Sequence, residues 1–120
     1  MTHDYPLLTP ETLRQLEKDV GNELLPELVA LFISDSTETL VRLQSALKAH
    51  DAGALVLLAH TLKSVCATYG ATRCHHEARA LEMAARSAEW SVMTQGVSQL
   101  LASLPATMQA LDLWCRTSRG

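Results

Sequence analysis

The sequence predicts an all-α fold: an antiparallel up-down-up-down four-helix bundle with a short N-terminal capping helix. Three observations predict it. Leucine, alanine and valine dominate a 48% hydrophobic content while aromatics make up only 4%, a balance that suits close helix packing better than a β-sandwich. Apolar residues recur at three- and four-residue intervals along most of the chain. The segments carrying that period are long and their connections short, which makes successive helices antiparallel neighbours. The 120 residues fit one domain, 1–120, with a single core.

Residues 1–8 read as a loose lead-in. Thr9 followed by Pro10 reads as an N-cap with proline at the first helical position, opening a short helix that ends near Gly21. From Asn22 to about Ala49, Leu25, Val29, Phe32, Ser36, Leu40, Leu43 and Leu47 keep helical spacing with a polar interruption at Ser36, and Pro26 belongs to the first turn. Asp51 is the expected N-cap of a third helix, whose stripe runs through Leu55, Leu58, Leu62, Cys66 and Tyr69 and stops at Gly70, the helix-ending turn. Ala71 to about Ala88 predicts a fourth helix with Cys74, Ala78, Leu81 and Ala85 on one face. The last helix carries Val97, Leu100, Leu101, Leu104, Met108 and Leu111, with a kink or break expected at Pro105.

A net charge of −3 without a long run of like charges gives no footprint for nucleic acid or an anionic membrane. The apolar run Ala54 to Ala59 is far short of the ~20 residues that cross a bilayer, and no signal-peptide pattern opens the chain. A cytoplasmic protein is expected. Cys66, Cys74 and Cys115 cannot all pair and show no C-x-x-C spacing, so reduced thiols are expected.

The chemistry concentrates in Ala59-His60-Thr61-Leu62-Lys63-Ser64. At ~100° per residue, Lys63 and Ser64 lie one turn beyond His60 on either side of its axial line, and Leu62 points nearly the opposite way. His60 therefore faces outward when Leu62 faces the core. A neutral imidazole nitrogen is a good nucleophile toward an acyl phosphate, and an ordinary imidazole, with pKa about 6.5, is mostly neutral at pH 7. Lys63 offers a point charge to phosphoryl oxygens, and Ser64 a hydrogen bond or an open approach. Val56, Ala59 and Ala67 are the small or apolar groups expected near the reactive edge, where a partner docks.

His60-Thr61-Leu62-Lys63-Ser64, followed by Gly70-Ala71 and Leu81-Glu82, closely resembles the His-x-Leu-Lys-Gly signature of histidine-containing phosphotransfer (HPt) domains, with their downstream Gly-Ala and Leu-Glu. Leu31-Phe32, Leu40, Leu43, Ala46-Leu47 and Asp51 extend the likeness over residues 22–88, and the arrangement is similar to small free-standing phosphorelay proteins of the quorum-sensing type. Ser64 stands where the family most often has glycine, Cys74 where leucine is usual and Ala78 where cysteine is frequent. The resemblance implies a phosphocarrier without kinase activity of its own. In it, His60 accepts a phosphoryl group from a receiver-domain aspartyl phosphate and passes it to another receiver aspartate in two-component signalling. The implied partners are receiver domains of a hybrid histidine kinase or a response regulator. No intrinsic cofactor or metal is implied, Mg²⁺ belonging to the receiver, and a monomer is expected.

A histidine-kinase dimerisation domain is the nearest enzymatic rival, but Thr61 follows His60 where that motif has an acidic residue, no proline comes shortly after, and no glycine-rich nucleotide lobe is present. Cys74-His75-His76 suggests a metal, yet consecutive helical residues diverge by ~100° and cannot converge on one ion. His75 and His76 are expected to be solvated. A purely structural or binding-only bundle remains the third alternative, against which the pairing of His60 with Lys63 argues.

Overall fold

The computed structural model describes residues 4–117. Five helices follow one another: α1 (Pro10–Val20), α2 (Leu25–Lys48), α3 (Ala52–Thr68), α4 (Thr72–Arg86) and α5 (Trp90–Thr117). Three-residue connections at 49–51, 69–71 and 87–89 reverse the chain each time. Helices α2 to α5 close a ring in which each packs on its two neighbours, and α1 caps one end against α2. The core runs along the bundle axis through Leu25, Phe32 and Leu43 of α2, Leu55 and Leu62 of α3, Leu81 of α4, and Leu100, Leu104 and Leu111 of α5. Burying such side chains contributes roughly 1.5–3 kcal/mol each relative to leaving them exposed.

The ends of the helices show how local chemistry sets this geometry. Asp51 Oδ1 accepts the Ala54 N–H at 3.0 Å, satisfying one of the free donors of α3. At the other end, the Ala71 N–H reaches the Cys66 carbonyl (2.9 Å) and the Gly70 N–H the Ala67 carbonyl (3.3 Å). Gly70 lies in the left-handed region with φ +67°, which completes a Schellman cap. The same pair of bonds closes α2, with His50 in the left-handed position (φ 55°), and α4, with Ala88 there (φ 52°). Neither residue is glycine, so each holds a backbone conformation that costs about 1–2 kcal/mol. Ala88→Gly removes that strain while enlarging the freedom of the unfolded chain. A net stabilisation of about 0.5–1 kcal/mol, read as a melting midpoint raised by about 2–4 °C, is expected.

Three sequence expectations are corrected here. The lead-in is not loose over its described part: Tyr5 stacks on His76 with ring centroids 3.6 Å apart. Arg73 Nε donates to the Tyr5 carbonyl (2.8 Å), the Arg73 N–H to the Pro6 carbonyl (3.0 Å), and the Thr9 N–H to the Gly70 carbonyl (2.8 Å). Residues 1–3 lie outside the described residues. Thr9 stands at the N-cap of α1 with Pro10 after it, as the sequence predicts, and its hydroxyl meets that of Thr72 instead of a backbone N–H of the helix. Of the kink or break expected at Pro105, the break is absent: the final helix runs as one element from Trp90 past Pro105. Proline withholds one backbone donor there, but Leu100, Leu104, Thr107 and Leu111 are fully buried on both sides of it, and that packing holds the helix together.

The third correction concerns the rotation of α3. Its buried stripe is Leu55, Ala59, Leu62 and Cys66, with Ala59 where the sequence reading placed Leu58. Leu58 is half-buried. Cys66, Cys74 and Cys115 are free and buried. Cys74 joins a buried polar thread in which its Sγ lies 3.3 Å from Thr107 Oγ1. Thr107 donates to the Ser103 carbonyl (2.7 Å), and Ser103 Oγ to Glu77 Oε2 (3.0 Å), linking α4 to α5.

Candidate functional site

His60 and Glu82 stand eleven residues before and after Ala71, so the tight α3–α4 turn brings them to the same height on neighbouring antiparallel helices. There the His60 ring meets the Glu82 carboxylate, with Nδ1 3.1 Å from Oε2. Lys63, one turn along α3, donates from Nζ to Oε1 at 2.7 Å. Arg86, one turn along α4, donates from Nη2 to Oε2 at 2.8 Å. One carboxylate thus gathers three donors.

Covered by its partners, the Glu82 side chain is only 8% exposed, whereas His60 is 57% exposed. The hydrogen bonds from Lys63 and Arg86, in that order of effect, hold the Glu82 carboxyl down to about 2, below the ordinary carboxylate range. Glu82 is therefore an ionised, acceptor-only group at any pH at which an imidazole titrates. Its neighbour Nδ1 must supply the proton, and in a neutral ring that leaves the lone pair on Nε2. As with a metal-bound histidine, a second group holding one ring nitrogen sets the tautomer, here with the proton on Nδ1 and the lone pair on Nε2.

Lys63 and Arg86 contribute two positive charges and Glu82 one negative, a net +1 beside a neutral imidazole. A phosphoryl dianion meets a favourable field there. The Ser64 hydroxyl donates to the His60 carbonyl at 3.3 Å, back into its own helix, so it holds no position toward the ring. Of the expected docking residues, Ala67 is exposed and Val56 half-buried. Ala59 is 0% exposed and is withdrawn from the docking surface, because it fills the core stripe one residue from His60. The apolar residues that do flank the site are Leu57 (70% exposed) and Met83 (60% exposed). Gly70, at the turn, touches neither ring nor carboxylate, and its role is the register of the hairpin.

His75 and His76 were expected to be solvated, and both are engaged. His75 Nδ1 lies 2.9 Å from the Lys63 carbonyl, and His76 stacks on Tyr5. With Cys74 turned into the core, the three do not converge, and among the described residues no group of three or more potential ligands could hold a metal ion. The notch beside Thr61, lined by Asp35, Ser36, Thr39, Leu62 and Val65, encloses about 110 Å³, below the range of small-molecule sites. A larger groove of about 490 Å³ runs between α2 and α3 from Leu58 back to Asp51 and includes none of His60, Lys63, Glu82 or Arg86. The His60 ring sits on an open helical face, with its side chain more than half exposed.

A family model described as Hpt domain matches residues 27–114. The chain belongs to the Hpt domain family. As a member it is a histidine phosphotransfer carrier of two-component signalling, and its receiver-domain partners are those of such systems. It is 33% identical over 94 residues to the phosphorelay protein LuxU of Vibrio cholerae, covering 78% of this chain and 83% of that one. It is 24% identical over 108 residues to LuxU of Vibrio harveyi, covering 90% and 95%. The crystal structure of histidine-containing phosphotransfer protein B (HptB) from Pseudomonas aeruginosa PAO1 superposes with a TM-score of 0.81 at 27% identity, over 95% of each chain.

Within this Hpt domain, sequence reasoning missed the roles of Glu82 and Arg86. Leu81-Glu82 was noted only as part of the family pattern. The available signal was the Glu82/Arg86 spacing of i, i+4 on a predicted helix, with the acid first.

Proposed function

We propose that His60 is the phosphoryl acceptor and that the reaction occurs at Nε2. The Nε2 lone pair attacks the phosphorus of an aspartyl phosphate on a receiver domain. The N–P bond forms as the P–O bond to the aspartate breaks, with that electron pair returning to the carboxylate. Transfer to a second receiver aspartate reverses these steps. The observation that carries the reading is the 3.1 Å contact of His60 Nδ1 with Glu82, which leaves Nε2 as the nucleophile on an exposed ring.

Lys63 neutralises the arriving phosphoryl oxygens with the ammonium donors left over while one stays on Glu82 Oε1. The aspartate and Mg²⁺ belong to the receiver, so the chain itself uses neither ATP nor a metal ion, and it has no kinase activity. Val56, Ala67, Leu57 and Met83 surround the ring as the docking rim, with Ser64 leaving the approach open. The partners are receiver domains of a hybrid histidine kinase or a response regulator, rather than nucleic acid or membrane. No helix among the described residues is long and apolar enough to cross a bilayer. A cytoplasmic monomer suits this role, since one histidine per bundle requires no second copy.

The test is incubation with a phosphorylated receiver domain and Mg²⁺, followed by mass spectrometry for an acid-labile, base-stable phosphate. Label on His60 is expected. Folded protein that takes up no label from several receivers would favour the binding-only bundle instead. Lys63→Ala is expected to slow uptake by about tenfold or more with docking retained; an unchanged rate would remove the lysine from the mechanism.

A further inference from the structure

The contact that selects Nε2 before phosphorylation has a second consequence after it. Once the N–P bond has formed, a ring that still carries the Nδ1 proton is a cation, and it ordinarily releases that proton near neutral pH. Here release would leave the Nδ1 lone pair facing Glu82 Oε2, which lies 3.1 Å away, with two acceptors opposed. Glu82 cannot relieve the clash by becoming a donor, because Lys63 on Oε1 and Arg86 on Oε2 hold it ionised. Nor is it free to swing into solvent, since those two contacts anchor it and its side chain is 8% exposed.

Resting on the reading that His60 carries the phosphoryl group at Nε2, we propose that Glu82 is a positioning residue that keeps the Nδ1 proton on the phosphorylated ring, so that transfer expels neutral imidazole rather than imidazolate. The balance of the step follows. The receiver carboxylate attacks phosphorus, the P–O bond forms, and the N–P electron pair returns to Nε2. With the Nδ1 proton in place throughout, the ring goes from cation to neutral imidazole and no proton is exchanged with water. Without that proton the leaving group would be an imidazolate anion, which requires protonation from outside the site.

The charges facing the ring do not all act alike. Lys63 on α3 and Arg86 on α4 oppose a cationic ring, the phosphoryl dianion favours it, and Asp35 of α2 lines the notch beside Thr61 without an ion pair to the site. Glu82 is the group in direct contact with Nδ1, and an opposite charge at that range shifts a titration by about 1–3 pH units.

Phosphoramidate, a small-molecule phosphodonor, gives a test independent of any receiver. Protein labelled with ¹⁵N in its imidazoles is phosphorylated with it, and the His60 nitrogen resonances are followed from about pH 6 to 10 in the parent, Glu82→Gln and Arg86→Ala. Glutamine keeps the shape and either accepts or donates at Nδ1, so it tolerates both protonation states. The Nδ1 proton is expected to leave the parent and Arg86→Ala at a pH about 1–3 units higher than in Glu82→Gln, and phosphate loss from Glu82→Gln to be slowed by about tenfold or more at pH 9. Coincident midpoints in the parent and Glu82→Gln, both with native amide spectra, would overturn the proposal. So would an Arg86→Ala midpoint as low as that of Glu82→Gln, because the carboxylate would then not be the deciding group. A natively folded parent that never shows an N–P signal at His60 overturns instead the acceptor assignment beneath it.

Discussion

His60→Gln is expected to abolish phosphoryl acceptance while leaving the bundle folded. The expectation of complete loss comes from chemistry: an amide has no nitrogen lone pair of comparable nucleophilicity, and among the described residues no other histidine shares the Glu82 contact. His75 donates its own ring to the Lys63 carbonyl and His76 lies against Tyr5. The expectation of an intact fold comes from position. The His60 side chain is 57% exposed, off the Leu55, Ala59, Leu62, Cys66 stripe, and a glutamine amide can replace its hydrogen bond to Glu82. Surface changes of this kind usually stay within about 0.5 kcal/mol. The measurement pairs mass spectrometry after incubation with a phosphorylated receiver and a thermal melt. Label surviving in the variant would place the acceptor elsewhere, and an unfolded variant would contradict the exposed setting of the ring.

What was legible in the sequence follows the reach of helical periodicity. His60, Lys63 and the outward face they share lie within one turn of a single helix, where ~100° per residue fixes relative direction. The same arithmetic marked Leu25, Val29, Phe32, Ser36 and Leu43 of α2 and Cys74, Ala78, Leu81 and Ala85 of α4, but in α2 Ala46 is buried where Leu47 was expected, and Leu40 and Leu47 are only partly buried. It could not fix the rotation of α3, because Ala54 to Ala59 is apolar on every side and Leu58 and Ala59 compete for the stripe. Core packing settled this in favour of the smaller residue, which lets α3 and α4 approach closely. That choice turned a supposed docking residue inward.

Glu82 and Arg86 are 22 and 26 residues from His60, and their arrival at its ring depends on the length of the α3–α4 turn and on which helices are neighbours. Periodicity carries neither. The ends of α2 and α4 were read close to where they fall, but the cap residue itself was legible only where the chain uses the residue the geometry prefers, as at Asp51 and Gly70, and not at His50 and Ala88, left-handed positions that sequence rules assign to glycine or asparagine. The tethering of residues 5–9 depends on contacts with Gly70, Thr72, Arg73 and His76, more than sixty residues away, which local polarity does not reveal.

Gly70→Val is expected to give the largest loss of stability of any single change considered. Gly70 has φ +67°, and a Cβ there would sit 3.0 Å from Thr12 Cβ and 3.0 Å from the Thr9 carbonyl oxygen. A left-handed conformation costs a non-glycine residue about 1–2 kcal/mol, more when β-branched, and overpacking adds about 1–3 kcal/mol. The sum, about 2–5 kcal/mol, is a large part of the ~5–15 kcal/mol that holds a domain folded, and a fall of about 10–20 °C in melting midpoint is expected. Gly53, by contrast, lies in the first turn of α3, where an added Cβ meets only Asp51 Oδ1 at 3.6 Å. Gly53→Ala is expected to be neutral or stabilising, by up to about 1 kcal/mol, and so serves as the control for a generic glycine effect. A Gly70→Val midpoint within a few degrees of the parent would mean that the turn and α1 yield to the side chain. The α3–α4 turn also sets the heights of His60 and Glu82. If it yields, their hydrogen bond should lengthen and phosphoryl uptake should fall even in the folded fraction. If it resists, the molecules that remain folded should take up phosphate at the parent rate.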